Sequence, residues 1–377
     1  MRLFVTISAL FLICACANQQ DKEVLSVDDL TPIEQGFQLS HAEGFDVEFF
    51  EEGTLIKVHR AWKEGKESFL YFQPNEGFDI DLKEAEEIPS DIKRIGCMST
   101  THIYALELLG REELLLGMSG LQNLSSEYYL SRVEAGNIID LGSANSPDYE
   151  LIVSLDLDLL VMYGIGNEIL PITDKLTELE VPFVMNAEYL ESHPLGQAEW
   201  LKFFGVFLGL NDEAQAKFEE IESNYFYWKE IGNADSSLPI AIINAPWEGI
   251  WYLPSKGSFS SSFLSDAGYT YCFEAYQEDS WFSLDQETVM AEGGDAQYWF
   301  NTGNQSSLEE LEMFYPLAPE FEAFQSGMVF NNVKGLNEAG GNDYWESGIY
   351  RPDLVLEDLV RIKQGEVNGF NYYMHLK

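Results

Sequence analysis

The sequence predicts an α/β protein with two strand–helix lobes, one long helix between them, and a β-meander in front. Three observations lead to this prediction. Short apolar strands alternate with helical segments from about residue 92 onward, which is typical of a parallel or mixed sheet covered by helices. Long helical stretches interrupt this alternation once, over residues 195–231, and it then resumes. Before residue 74 the alternation has a period of two, which is typical of strands.

The first residues have the form of an export signal. One basic residue, Arg2, precedes an apolar stretch over residues 3–13, which is too short to span a bilayer but long enough for a signal-peptide core. The letters ICAC that end at Cys16 resemble a bacterial lipobox. This resemblance implies a lipoprotein signal peptide over residues 1–15, lipid on Cys16, and a polar tether over residues 16–33. The alternative is an ordinary signal peptide with a cysteine by chance.

Composition argues against several functions. The 377 residues include 21 Lys and Arg against 64 Asp and Glu, a net charge of −43. Such a surface repels nucleic-acid phosphates, so we expect no DNA or RNA partner. Five histidines make a histidine-rich metal site hard to build. There is no G-x-S-x-G, H-E-x-x-H or P-loop motif, and no C-x-x-C after signal removal, so we expect no enzyme activity.

A β-rich extension is predicted over residues 34–90. Apolar and polar residues alternate over residues 45–49, and they alternate again over 56–58 after a turn at 52–53. Residues 68–72 form a third candidate strand. Strands that follow one another through short turns indicate a β-meander, for which the sequence offers no role.

The first lobe is predicted over residues 91–210 and the second over 234–377, with one interlobe helix over 211–233. Apolar residues at spacings of three and four give that helix one apolar stripe, and about 20 residues at about 1.5 Å each span about 30 Å, the diameter of a small domain. The strands predicted in the lobes are 94–98, 114–117, 157–163, 182–185, 239–244, 250–253, 270–273, 298–302 and 328–331. The helices predicted there are 99–109, 148–155, 169–179, 195–208, 259–266, 284–290, 308–313 and 353–362.

Several segments, taken in order, are similar to one family of transport proteins. RIGCMSTTHIYALELLG is similar to its opening strand and helix, and SPDYELIVSLDLDLLVMYG to its Glu-led helix and next strand, although Leu157-Asp158 replaces the usual Pro-Asp. WYLPSKGSFSSSFLSDAG is similar to the start of its second lobe, with Ser255-Lys256 where a glycine is usual. GGNDYWESGIYRPDLVLEDLVRI is similar to the terminal segment of a Bacteroidetes subgroup. The family is the substrate-binding proteins of ABC importers for iron–siderophore complexes, haem or vitamin B12, and the resemblance covers about residues 90–366.

The resemblance implies two Rossmann-like lobes that are joined by one long helix and close little on their ligand. It also implies a lipid-anchored protein on the periplasmic face of the cell envelope, which binds an iron–siderophore complex and delivers it to a permease and its ATPase. Corrinoid (vitamin B12) or haem are alternative ligands, and a surface adhesion lipoprotein of the same fold is an alternative of another class. We expect a monomer that binds a metal chelate and holds no cofactor or metal of its own.

In the resembled family, one glutamate on each lobe docks into arginine pockets of the permease. The matching positions are Glu150 and Glu287, which also form a weak internal repeat: each opens a predicted helix, and an aspartate, Asp158 or Asp295, follows eight residues later before a strand. Two carboxylates on a rigid body would set its orientation on a transporter. The alternative is that each is a helix-start acid favoured by the helix dipole.

Candidate ligand residues of the first lobe follow its opening strand, because ligands of α/β proteins bind at the carboxyl ends of strands. Thr100 and Thr101 could offer hydroxyls and helix-start amides to an anionic or oxygen-rich ligand; the alternative is simple helix capping. His102 could hydrogen-bond a ligand or ligate haem iron, and the alternative is a structural histidine.

The second lobe offers an aromatic group near its start. Trp247, Trp251 and Tyr252 lie within six residues, and we expect at least one of them to line an apolar face for a bulky or planar chelate. The alternative for each is core packing.

A further candidate group lies on the glycine-rich stretch near the C-terminus. Tyr344, Trp345 and Glu346 follow two glycines, and aromatic residues on such a loop are hard to explain as core. Arg351 could bind an anionic chelate, or it could pair with a nearby aspartate or glutamate.

Overall fold

A computed structural model of the chain describes residues 22–34, 36–234, 236–277 and 281–377. The predicted signal peptide and Cys16 lie outside these ranges. Within them the chain forms two mostly parallel five-stranded sheets, smaller sheets, and a 22-residue helix between the two large sheets, which confirms the predicted fold class. None of the helices in the described ranges is both long and apolar enough to cross a membrane.

Residues 22–34 and 36–90 form a separate sheet layer, here called the N-terminal layer. The predicted meander is present as three antiparallel strands, β2–β4, and β6 lies parallel to β4. The expected tether is wrong in its last part, because β1 lies parallel to β5 and Leu30 is buried with Phe50 and Leu55 in a small core. The strands of the layer are β1 (Glu23–Leu25), β2 (Phe45–Phe49), β3 (Gly53–Val58), β4 (Phe69–Pro74), β5 (Ile80–Leu82) and β6 (Glu86–Glu87).

Two carboxylates that the fold buries attach the N-terminal layer to the first lobe. Glu199 is completely buried and accepts hydrogen bonds of 2.7–3.0 Å from the backbone amides of residues 40–42. The ammonium of Lys202, itself buried, donates to the same carboxylate at 2.7 Å. Glu191 accepts hydrogen bonds of 2.8–3.1 Å from the amides of residues 43–44. Charge-assisted hydrogen bonds are stronger than neutral ones, so the layer is a fixed part of the first lobe.

The first lobe has a fully parallel sheet in the order β13-β12-β7-β8-β9. The helix predicted over residues 195–208 is divided in two, because i→i−3 hydrogen bonds tighten the backbone on both sides of Trp200. Its strands are β7 (Ile95–Cys97), β8 (Leu115–Met118), β9 (Ile139–Asp140), β10 (Gly142–Ser143), β11 (Ser146–Pro147), β12 (Leu159–Met162) and β13 (Phe183–Met185). Its helices are α1 (Ile103–Leu108), α2 (Glu127–Glu134), α3 (Tyr149–Ser154), α4 (Leu170–Glu178), α5 (Pro194–Glu199) and α6 (Leu201–Phe207).

One long helix, α7 (Asn211–Gly232), joins the lobes as predicted. Its apolar stripe buries Ala214 in the core of the first lobe and Tyr225 in the core of the second. The helix is therefore a brace that belongs to both cores.

The second lobe has the sheet order β16-β14-β18-β19-β20, in which only β20 is antiparallel. The predicted strand at 250–253 is not in this sheet: it pairs with β17 in a separate antiparallel hairpin, and residues 284–285 belong to β17 rather than to a helix. The strands of the lobe are β14 (Ile240–Ile243), β15 (Ile250–Pro254), β16 (Thr270–Tyr271), β17 (Trp281–Asp285), β18 (Tyr298–Phe300), β19 (Val329–Asn331) and β20 (Met374–His375). Its helices are α8 (Phe259–Asp266), α9 (Gln286–Gly293), α10 (Leu308–Phe314), α11 (Glu322–Gln325) and α12 (Pro352–Lys363).

Residues 333–351 form a second connection between the lobes, here called the crossover segment. It follows β19 of the second lobe, but its Ile349 and Tyr350 are buried in the core of the first lobe. The Asn337 side chain donates a hydrogen bond to the Leu124 carbonyl of the first lobe at 2.6 Å. The crossover segment thus joins the lobes in addition to α7.

Candidate functional site

The carboxyl ends of the parallel strands define the candidate site. In each lobe these ends meet at one edge of the sheet, where loops lead into helices and ligands of such folds bind. The crossover segment, which follows β19, contacts the loop that follows β8. The two edges therefore adjoin, and we treat them as one site with a wall from each lobe.

An exposed aromatic face forms the wall from the second lobe. Along β15 the side chains alternate, so that Tyr252 is 51% exposed while its neighbour Trp251 is buried. Trp281, which pairs with Pro254 across the hairpin, is 55% exposed, and Trp247 is 63% exposed. We call Trp247, Tyr252 and Trp281 the aromatic face. Exposed aromatic side chains grouped in this way are typical of a binding surface.

The structure thus separates the three second-lobe candidates near residue 250. Trp247 and Tyr252 lie on the surface, as a ligand site requires. Trp251 lies in the core instead, stacked on Trp299 at 5.8 Å between ring centroids, because the strand alternation turns it to the opposite side from Tyr252. The sequence analysis missed Trp281, although apolar and polar residues alternate directly after it, over residues 282–285, which is a strand signal.

Hydroxyl groups line the wall from the first lobe. The Ser99 hydroxyl caps the short helical turn that starts at Thr100 by accepting a hydrogen bond from the Thr101 amide at 3.3 Å. The Thr101 hydroxyl donates to the Glu188 carboxyl group at 2.6 Å. Thr100 is half-buried and follows β7 at this edge, whereas the Thr101 hydroxyl is bonded to Glu188, so Thr100 remains the stronger candidate of the two.

The His102 expectation is corrected, because the structure buries this side chain completely. The rings of Tyr163 and Phe204 lie 6.3 and 6.4 Å from it. Burial lowers the pKa of the His102 imidazole to about 3, so the ring is neutral at physiological pH. It is a core residue beneath the site and not a side chain that could reach haem iron.

A buried acid that the sequence analysis missed lies beside it. Glu188 follows β13, is 3% exposed, and has its pKa raised by burial, with a partly opposing effect from the Thr101 hydrogen bond. Its partner Thr101 therefore supports the floor of the site and is less free to contact a ligand.

The candidate ligand residues on the crossover segment also differ in their exposure to solvent. Trp345 is 48% exposed, whereas Tyr344 and Glu346 are buried. The Glu346 carboxylate accepts hydrogen bonds from the Ser125 and Ser126 amides at 2.7 and 3.0 Å, and burial, the largest effect, raises its pKa to about 7. Tyr344 and Glu346 are therefore corrected from ligand residues to structural ones, because they hold the two lobes together.

Arg351 takes the alternative role that the sequence left open. Its guanidinium donates to both carboxylate oxygens of Asp353 at 2.8 and 2.9 Å, and the side chain is only 24% exposed. This bidentate pair satisfies the charge within the protein.

The two expected docking glutamates occupy matched positions. Glu150 and Glu287 are both exposed in the first turn of a helix, α3 and α9. Asp148 and Asp285 cap these helices by accepting hydrogen bonds from backbone amides at 3.0 and 2.8 Å. Each helix leads into a strand near the middle of its sheet, β12 or β18, so each glutamate lies at the carboxyl-end edge, one on each lobe.

Two cavities lie away from this edge. One of about 330 Å³ is lined by Pro239, Gln297 and Met328 at the amino ends of the second-lobe strands. The other, of about 290 Å³, lies in the N-terminal layer around Phe37 and Val47. Among the described residues no group of three or more His, Cys, Asp or Glu side chains is placed to hold a metal ion. Neither cavity belongs to the candidate site, whose exposed side chains include those of the aromatic face and Trp345.

Comparison with known proteins gives a family match. Residues 95–331 match the family model described as periplasmic binding protein. An uncharacterized lipoprotein of Methanocaldococcus jannaschii is 26% identical over 284 residues, which are 73% of this chain and 66% of that relative. The match therefore spans just under two thirds of the relative's length.

Solved structures agree with the fold. A periplasmic binding protein from Veillonella parvula has a TM-score of 0.56 at 14% identity over 86% of this chain and 98% of its own. A siderophore-binding protein from Vibrio cholerae with bound Fe3+–Desferal has a TM-score of 0.52 at 15% identity, and a haem-binding protein from Roseiflexus has 0.54 at 15%. Both cover 72% of this chain; the match spans 99% of the Vibrio protein and 98% of the Roseiflexus protein. The Veillonella match is longer than the two lobes and α7 together, so it extends into the N-terminal layer.

Proposed function

The chain belongs to the periplasmic binding protein family, and from this premise we propose that it is the lipid-anchored substrate-binding component of an ABC importer for a metal chelate. An iron–siderophore complex is the first ligand class. A corrinoid or haem is the alternative, and the haem-binding protein among the structural neighbours favours keeping haem in the test. Family members and structural neighbours are solute-binding proteins and not enzymes.

The aromatic face carries this proposal. Trp247, Tyr252 and Trp281 are each more than half exposed at the carboxyl-end edge of the second lobe, where a polar solute would leave their rings in water. A chelate with an apolar outer surface would remove this area from water, which is favourable by roughly 25 cal/mol per Å². The chelate's own atoms coordinate the metal, so the protein needs only to contact the outer surface.

Hydroxyls on the first-lobe wall complement the aromatic face. Thr100 lies at the start of a capped turn, and a hydroxyl there could donate to chelate oxygens. A ligand held between one apolar and one hydroxyl-bearing wall would be oriented as well as bound.

A fluorescence titration of the purified chain tests the binding role. The chain has eight tryptophans, and two of them, Trp247 and Trp281, lie on the aromatic face, so a bound chelate should quench emission. We expect saturable quenching at sub-micromolar concentration by one of ferric hydroxamates, ferric catecholates, haemin or cyanocobalamin. The variant Trp281→Ala should bind that chelate about tenfold more weakly.

The matched control is Phe314→Ala, which removes another exposed aromatic side chain of the same lobe, on α10, and should leave the affinity unchanged. If only haemin or only cyanocobalamin quenches the emission, that compound and not an iron–siderophore complex is the ligand class. If no chelate in the panel binds, the proposed ligand class is wrong.

The importer role is tested separately by uptake in cells. We propose that Glu150 and Glu287 dock on the permease, so the double variant E150Q/E287Q should lose uptake and keep its affinity for the chelate. The control E309Q neutralises another exposed acid in the first turn of a helix, α10, and should transport normally. Unchanged uptake in the double variant would count against docking and in favour of an adhesion role.

A further inference from the structure

The N-terminal layer reaches the loops that form the first-lobe wall. Residues 59–68 connect β3 to β4, and in the middle of this connection Trp62 is completely buried in the core of the first lobe. Its indole nitrogen donates a hydrogen bond to the Asn167 side chain at 2.9 Å. Asn167 lies in the loop that follows β12, at the carboxyl-end edge. The connection is therefore anchored at the site and not at a distant surface.

The anchored connection places an arginine beside exposed side chains of the same edge. Tyr189, in the loop after β13, is 40% exposed, and Ile165, in the loop after β12, is 63% exposed. The Tyr189 hydroxyl donates to the Gly164 carbonyl, which fixes its ring. Burial raises the pKa of Tyr189, and the nearby positive charge of Arg60 acts against that rise. The Tyr189 hydroxyl bonds to the residue before Ile165, and Arg60 is two residues before Trp62, which is bonded to Asn167. Arg60, Ile165 and Tyr189 therefore belong to segments that meet at the same edge.

Arg60 differs from the other arginines of the described ranges in its surroundings. Arg94, Arg351 and Arg361 form ion pairs with carboxylates. Arg111 and Arg132 donate to the carbonyls of residues 110 and 112, which precede β8 and so lie at the opposite edge of the sheet.

The contacts of Arg60 itself are weak. It is exposed, its guanidinium is 3.5 Å from the Lys63 carbonyl, and within the described residues no carboxylate lies within 4 Å of it. In a chain of net charge −43, an arginine that lacks an acidic partner at the binding edge is available for an acidic group from outside.

We propose that the N-terminal layer is a third wall of the ligand site, and that Arg60 binds a carboxylate carried by the chelate while Tyr189 and Ile165 contact its apolar part. This inference rests on the proposed function. A guanidinium can hold both oxygens of a carboxylate in parallel hydrogen bonds, which a lysine cannot match. The layer would then select among chelates with the same metal-binding core by the charge at their periphery.

Pairs of chelates that differ only in a peripheral carboxylate test this inference on the full chain in detergent micelles. The pairs are the N-acetyl and N-succinyl derivatives of Fe3+–Desferal, haemin dimethyl ester and haemin, and cyanocobalamin and its monocarboxylate. For whichever core binds, we expect the carboxylate form to bind about tenfold tighter at low salt, and the preference to shrink as salt screens it. Arg60→Gln should reduce the preference to less than about twofold, and Arg60→Lys should keep part of it.

The control is Arg111→Gln, which removes an arginine at the opposite edge and should keep the full preference. A midpoint of thermal unfolding equal to that of the wild type shows that each variant keeps its fold. If the wild type has no preference, or if Arg60→Gln retains it, the inference is wrong while chelate binding, and with it the proposed function, stands. If no pair binds, this inference fails, and the proposed function fails with it only if the ferric catecholates of the fluorescence titration do not bind either.

Discussion

The two lobes share one plan but present different surfaces at the edge where the candidate site lies. Each has a five-stranded sheet and an Asp-capped helix with a glutamate in its first turn, followed by a strand near the middle of the sheet. The second lobe exposes the aromatic face there. The first lobe instead presents hydroxyls above buried polar groups, Glu188 and His102.

The difference comes from segments that lie outside the shared plan. In the second lobe the hairpin β15–β17 is separate from the main sheet and carries Tyr252 and Trp281. In the first lobe the edge is completed by two segments from elsewhere in the chain, the N-terminal layer and the crossover segment. The sheets therefore position the site, whereas most of its exposed aromatic side chains come from the added segments.

The largest effect expected from this comparison is on the neighbours Trp251 and Tyr252, which point to opposite sides of one strand. Trp251→Ala should lower the free energy of unfolding by about 3–5 kcal/mol, because it leaves a cavity beside Trp299. Tyr252→Ala should change it by less than about 0.5 kcal/mol and should weaken chelate binding about tenfold. Urea denaturation and the fluorescence titration measure the two quantities.

An equal loss of stability in the two variants would contradict the assignment of Trp251 to the core and of Tyr252 to the ligand surface. Leu253→Ala is the matched control on the buried side, since it should destabilise the chain as Trp251→Ala does.

The next largest effect concerns the pH dependence of stability that comes from Glu346, whose hydrogen bonds join the crossover segment to the first lobe. Its pKa of about 7 in the folded chain is above the ordinary value, so the folded state binds the proton more tightly than the unfolded state. The contribution of Glu346 to the free energy of unfolding is therefore greatest below about pH 4.5. It falls by an amount on the order of 3 kcal/mol as the pH rises to 7. In E346Q this part of the decrease should be absent.

Urea denaturation at several pH values between 4 and 8 measures this slope. The control E338Q neutralises an exposed acid of the same crossover segment and should keep the wild-type slope. The assignment fails if E346Q and the wild type lose stability in parallel over that range. Other acids contribute to the total, among them Asp358, whose pKa burial raises to about 6, so the difference between the two curves is the relevant quantity.

Periodicity in the sequence was sufficient for the architecture. The long interlobe helix, the meander and four strands of each five-stranded sheet follow from local patterns, and the structure has them. The edge strands β9 and β20 were not predicted, because each has only two residues. The apolar stripe predicted for α7 is present, and it includes Ala214 in the core of the first lobe and Tyr225 in the core of the second. The resemblance placed Glu150 and Glu287 at what proved to be equivalent helix starts.

The errors concern contacts between segments far apart in sequence. Nothing near His102 indicates that Tyr163 and Phe204 would enclose it. Glu346 has its partners at residues 125–126, more than two hundred residues away, and the strand that pairs with β15 begins only at Trp281. Burial of a single polar side chain depends on such pairings, so sequence patterns could place the site but could not separate its surface residues from its supporting ones.

The smallest expected effect tests the first-lobe wall with two adjacent threonines. Thr100→Val removes a hydroxyl from the half-buried start of the turn and should weaken chelate binding about fivefold, the equivalent of one hydrogen bond of roughly 1 kcal/mol. Thr101→Val removes the hydrogen bond to the buried Glu188, so it should lower the free energy of unfolding by about 1–3 kcal/mol and leave affinity nearly unchanged. Titration and urea denaturation of both variants check this. If Thr101→Val weakened binding more than Thr100→Val, the first lobe would contact its ligand through Thr101, and the division between its surface and supporting residues would have to be redrawn.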